Sequence, residues 1–143
     1  MRTLRTILIF WVPLIAWLLV IHNFSATPAQ DLPRISIPHA DKVFHAVEYF
    51  VLGVLLIRAF DHSARLMIDA ERSRGIDKSD FKLNLAKLTV LAIIIALCYG
   101  ALDELYQRAV PGRMCDLFDF ITDCAGALVG IFLYISDREE RRG

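Results

Sequence analysis

The sequence predicts an all-α fold: a polytopic membrane protein built as a bundle of four transmembrane helices, with the N- and C-termini cytoplasmic. Three observations predict it. Of the 143 residues, 56% are hydrophobic, high for a soluble domain of ordinary make-up. These residues cluster in four runs, about residues 4–22, 43–60, 85–105 and 117–135. Each run is roughly 18–21 residues, the length with which a helix crosses a bilayer core of about 30 Å. The runs also lack strand alternation and the unbroken polar stripe of a soluble bundle helix. "TVLAIIIAL" (Thr89 to Leu97) and "FVLGVLLI" (Phe50 to Ile57) carry no such stripe.

The first run, "LRTILIFWVPLIAWLLVI", follows the basic residues Arg2 and Arg5. With "TPA" before Gln30 it resembles a cleavable signal peptide, but its long apolar core favours a retained helix. Pro13 inside it is tolerated where neighbours satisfy the freed carbonyl. "NFS" at Asn23 matches a glycosylation acceptor, a triplet too common to carry weight. Pro28, Pro33 and Pro38 predict an extended connection to the second run.

The connection over residues 61–84 is read as a cytoplasmic loop. Within it, "ARLMIDAERSRG" predicts a short amphipathic helix on the inner leaflet, ending near Gly75. Pro111-Gly112 predicts a turn between the third and fourth runs. Gly126 and Gly130 form a G-x-x-x-G on the fourth helix, read as intramolecular packing with Gly53 as partner.

Orientation follows from lysine and arginine. Arg2 and Arg5, the connection with Arg65, Arg72, Arg74, Lys78 and Lys82, and the tail with Arg138, Arg141 and Arg142 are the basic stretches. The other two connections hold only Arg34, Lys42, Arg108 and Arg113. The positive-inside rule therefore places both termini and the long loop inside, and the segments near Asp31 and Pro111 outside. The expected location is the inner or plasma membrane, multi-pass.

Formal net charge is zero, and no basic patch alternates with aromatics, so nucleic acid is not an expected partner. Cys98, Cys115 and Cys124 are odd in number and lack metal-ligand spacing, which argues against a disulfide framework.

The informative residues are the charges at the outer helix ends. Asp41, His45 and Glu48 lie at i, i+4, i+7 on the second helix, on one face. Asp103, Glu104 and Gln107 close the third. Asp116, Asp119 and Asp123 open the fourth at i, i+3, i+7. Three polar stripes at one end predict a shared outward-facing cavity, since charge inside a bilayer is costly unless paired, metal-bound or protonated. Singly, each admits a plainer reading. Asp41, Asp116 and Asp119 suit helix N-termini, and His45 and Glu48 suit pairing with Lys42 or Arg113. The turn at Pro111-Gly112 aims Arg113 back over the helix ends, toward carboxylate or phosphate.

"DKVFHAVEYFVLG" and "DELYQRAVPGRMCDLFDFITDCAGALVG" resemble the VanZ-like membrane protein family. The matching positions in the first block are Asp41, Lys42, His45, Tyr49, Leu52 and Gly53. In the second they are Glu104, Gln107, Pro111, Gly112, Arg113, Asp119, Gly126 and Gly130. Asp123 departs from the pattern, which usually has Asn there. The resemblance implies a small helical membrane protein of a family associated with teicoplanin resistance, and it adds Tyr49 to the expected site.

Three functions fit these residues. The first is binding of membrane lipid, a phosphorylated or amino-bearing envelope headgroup or a glycopeptide-related ligand. Lys42, Arg113 or a divalent cation (Mg²⁺ or Ca²⁺) would offset the carboxylates. The second is a structural or partner role, with the polar network as interhelical glue. The third is a metal-assisted enzyme on lipid-linked phosphate, with His45 and Glu48 as base and orienter and Asp119 and Asp123 holding the metal. No nucleophile motif or H-E-x-x-H supports the third, so binding is expected ahead of it.

Overall fold

The computed structural model describes residues 4, 5, 7–33, 38–72 and 80–141. Among the described residues four long helices run up and down, α1 (Ile7–Ala26), α2 (Ala40–Arg72), α3 (Asp80–Gln107) and α4 (Leu117–Glu140), with a short 3-10 turn at Ala29–Asp31 after α1. No strand occurs among the described residues. All four contain a stretch long and apolar enough to cross a membrane. Much of their outer surface is exposed large hydrophobics, among them Ile15, Leu19, Val90, Ile94 and Phe132. A continuous apolar exterior is what lipid, not water, requires of a bundle.

Within α1, Ile7–Trp11 is a wider π-helical turn and the α-helical stretch begins at Val12. Pro13 sits just inside that junction. Its ring and missing N–H disturb the carbonyl one turn back, and the wider turn absorbs the conflict. Side-chain donors then fasten α1 to its neighbours along its length. Trp11 Nε1 donates to Ser63 Oγ, Trp17 Nε1 to the Glu48 carbonyl, and the Tyr99 hydroxyl to the Leu18 carbonyl.

α2 and α4 form the closest pair because glycines remove the side chains between them. A Cβ on Gly126 would meet the Ala46 carbonyl, one on Gly130 the Phe50 carbonyl, and one on Gly53 the Ala127 carbonyl. The G-x-x-x-G is therefore intramolecular, with Gly53 on the opposing helix, as expected. Tyr49, Leu52 and Ile57 of α2 fill the core with Ile131 of α4, Ile21 of α1 and the small Ala92 and Ala96 of α3.

Three helices outrun the apolar runs that predict them: α3 begins at Asp80 rather than near residue 85, α4 ends at Glu140 rather than near residue 135, and the largest difference is at α2. α2 does not end near Phe60 but continues through Arg72, so much of the expected loop over residues 61–84 is helix. No proline or glycine interrupts this stretch, and Arg65 pairs with Asp61 one turn back. The amphipathic segment is thus an extension of α2, and its expected end near Gly75 lies outside the described residues.

A candidate polar site at one end of the bundle

The ends of α1 and α3 and the starts of α2 and α4 lie together, and most of the charged residues singled out above meet there. They divide into three groups of contacts.

At the mouth, Lys42 of α2 reaches Asp116 at 3.0 Å and Asp119 at 2.6 Å. Asp41 is exposed and 3.5 Å from the same ammonium. Asp116 is the N-cap of α4, accepting from the Phe118 amide at 2.8 Å. That hydrogen bond, then Lys42, holds the Asp116 carboxyl below its usual range. The helix-terminus reading thus holds for Asp116, while Asp119 is buried and ties α4 to α2.

Deeper in, His45 Nδ1 lies 2.9 Å from Asp123 Oδ1, with both residues buried. Glu104 of α3 completes the group. One ligand-capable atom from each of His45, Glu104 and Asp123 lies within 4.8 Å of the other two. Glu104 uses Oε2 to accept from the Asp116 amide at 2.8 Å. Its Oε1, Asp123 Oδ2 and the Tyr49 hydroxyl are buried without a hydrogen-bond partner. Gly100 explains how they fit. A Cβ there would lie 3.6 Å from Asp123 Oδ2 and 3.4 Å from the Tyr49 ring, so its bare backbone leaves room for both. Three helices therefore deliver an imidazole and two carboxylates to one enclosed spot. Such a donor set suits a divalent cation or an ammonium group.

On the α1 side, the Ser25 hydroxyl donates to Asp103 Oδ2 at 2.7 Å, and Gln107 Nε2 lies 3.3 Å from the same oxygen. Ser25 was not anticipated. α1 carries no charge within its span, and one serine near the end of an apolar run gives no periodic signal.

Two of the expected site residues stand apart from these contacts. Glu48 is half-buried about two turns below the mouth, on the same α2 face as Asp41 and His45 but outside their hydrogen bonds. Arg113 forms no ion pair with a carboxylate among the described residues. Its Nη2 donates to the Phe24 carbonyl at 2.8 Å and its Nε to the Thr27 carbonyl at 3.3 Å. The guanidinium thus caps the C-terminal end of α1, where the carbonyls carry partial negative charge, and shares the Phe24 carbonyl with the Thr27 amide. The Ala29 amide donates to the Pro111 carbonyl at 3.2 Å, fixing the same junction. Of the two residues expected to hold a metal, Asp123 lies in the three-residue group and Asp119 is committed to Lys42.

The family model described as VanZ/LLP1 matches residues 4–136. No match was found among curated proteins or among solved structures.

Proposed function

The chain belongs to the VanZ/LLP1 family, and on that premise we propose that this membrane protein binds a cell-envelope lipid headgroup in an outward-facing acidic pocket. The observation that carries the reading is the set of buried atoms without partners: Glu104 Oε1, Asp123 Oδ2 and the Tyr49 hydroxyl. Buried polar atoms are normally satisfied, and leaving them bare is unfavourable. Two of the three belong to carboxylates, so the missing partner brings donors or positive charge.

An amino-bearing headgroup meets that demand directly. A phosphorylated one meets it through a divalent cation seated on His45, Glu104 and Asp123. A glycopeptide-related ligand would be recognised through its amines by the same chemistry. The outward orientation rests on the lysine and arginine distribution, and a pocket at the helix ends would lie near headgroup depth. A structural role is favoured for two subsets. Lys42 with Asp119 links α2 to α4, and Asp103 with Ser25 links α3 to α1.

Native mass spectrometry of the detergent-purified protein beside Glu104→Gln tests the reading. A lipid or ion retained by the first and missing from the second, at equal helicity by circular dichroism, supports it. Bare protein in both cases overturns it and leaves a structural network.

A further inference from the structure

The opposite end of the bundle carries a second polar assembly, independent of the acidic pocket. At its centre Asp61 of α2 is 1% exposed. Its Oδ2 accepts from Arg65 Nη2 at 2.8 Å and from the Tyr134 hydroxyl at 3.1 Å. Its Oδ1 lies 2.8 Å from Arg138 Nη2. One carboxylate therefore fixes two guanidinium groups from different helices. In front of them is a recess of about 480 Å³ lined by Arg58, His62, Arg65, Tyr134, Asp137, Arg138 and Arg141. Arg58 stands over the Phe10 ring, 4.9 Å from its centroid. Asp137 is paired with Arg141 at 2.9 Å.

Charge compensation alone does not account for this arrangement. Among the described residues, four arginines line the recess beside two carboxylates, Asp61 and Asp137, and Arg58 forms an ion pair with neither. Each guanidinium has five N–H donors, so pairing with Asp61 leaves Arg65 with donors to spare. Guanidinium forks match phosphate oxygens, and forks already held in place lose little freedom on binding.

Depth decides what kind of phosphate is at hand. Counting from Ala40 on α2 or Leu117 on α4, about 20 residues at 1.5 Å rise cross a core of about 30 Å. That brings α2 to the level of Phe60 and α4 to the level of Asp137, so the recess lies at the far headgroup layer. Phe10 and Trp11, aromatic residues suited to that interface, lie alongside. The geometry points to a phosphate-binding site in this recess, occupied by the headgroup phosphodiester of an anionic phospholipid. Free phosphate shares the chemistry, and the test separates the two.

Full-length protein is titrated with short-chain phosphatidylglycerol, phosphatidylcholine or inorganic phosphate, and bound species are counted by native mass spectrometry. The variant is Arg58→Gln with Arg141→Gln, two arginines that do not hold Asp61. Thermal unfolding checks that it folds. The expected result is preferential retention of phosphatidylglycerol, weakened about fivefold for each arginine removed, with phosphatidylcholine unaffected. Protection by inorganic phosphate, lost in the variant and without lipid preference, supports the site and assigns it to free phosphate. Equal phosphatidylglycerol binding by a folded variant, or no preference over phosphatidylcholine together with no phosphate effect, overturns the proposal. Because neither arginine touches the acidic pocket, failure here leaves the reading of that pocket standing.

Discussion

His45 Nδ1 and Asp123 Oδ1 lie 2.9 Å apart, joining α2 to α4 between residues 78 positions apart in the chain. The contact is buried, and it sits one turn from Gly126, where the α4 backbone packs against the Ala46 carbonyl of α2. Asp123→Ala leaves a buried imidazole without its acceptor, which destabilises by about 1–3 kcal/mol. Asp123→Asn keeps an acceptor for Nδ1 and should recover most of that loss. Thermal unfolding in detergent compares them, and equal loss in both variants would show that charge, not hydrogen bonding, holds the pair.

The glycines predict a sharp contrast between positions. Gly126→Val places side-chain atoms against the Ala46 carbonyl, a backbone atom that cannot move away. Overpacking by even flexible groups destabilises by about 1–3 kcal/mol, so a clash with backbone should exceed that and separate α4 from α2. Gly100→Ala meets its neighbours only at ordinary contact distance, nearest 3.4 Å, and should fold normally. It also brings a methyl group toward Asp123 Oδ2. Retained helicity with weakened ligand retention in native mass spectrometry is the outcome expected of Gly100→Ala.

Asp61 is the strongest single anchor at the far end. Asp61→Ala removes the ion pairs to Arg65 and Arg138 and the Tyr134 hydrogen bond together. Breaking a buried pair by deleting one partner destabilises by about 3–5 kcal/mol. Arg141→Ala, which removes an exposed pair to Asp137, should change stability by less than about 1 kcal/mol. Denaturant titration of the two variants side by side checks the difference.

Asp116 supplies a pH dependence. Its carboxyl is held below the usual range by the Phe118 amide and by Lys42. A carboxylate with a lowered folded value contributes stability that is fully present above its ordinary range, near pH 4 by the unperturbed figure of about 3.9. That contribution falls away as pH drops through the lowered value. Asp116→Asn should therefore flatten the acid limb of a melting-temperature profile and leave the neutral region nearly unchanged. A wild-type limb that persists undiminished in the variant would place the dependence on other groups.

Much of this molecule was legible because it is written in short-range periodicity. Run length and hydropathy determined four helices of spanning length, and i, i+3, i+4 and i+7 spacing put Asp41, His45 and Glu48 on one face and Asp116, Asp119 and Asp123 on another. Small-residue spacing likewise identified the close contact of Gly126 and Gly130 with α2. The limit of α2 was misread for a physical reason. A change from apolar to charged residues at Asp61 marks where a helix leaves the membrane core, and nothing there stops the backbone from remaining helical. Only the tertiary structure decided the partners: Ser25 for Asp103, Glu104 beside Asp123, the α1 carbonyls for Arg113, and Asp61 as the tie between α2 and α4. Periodicity specifies which residues share a face but not how far each helix is rotated or shifted against the next. Contacts between residues tens of positions apart depend on that rotation, which is set by the packing of all four helices at once.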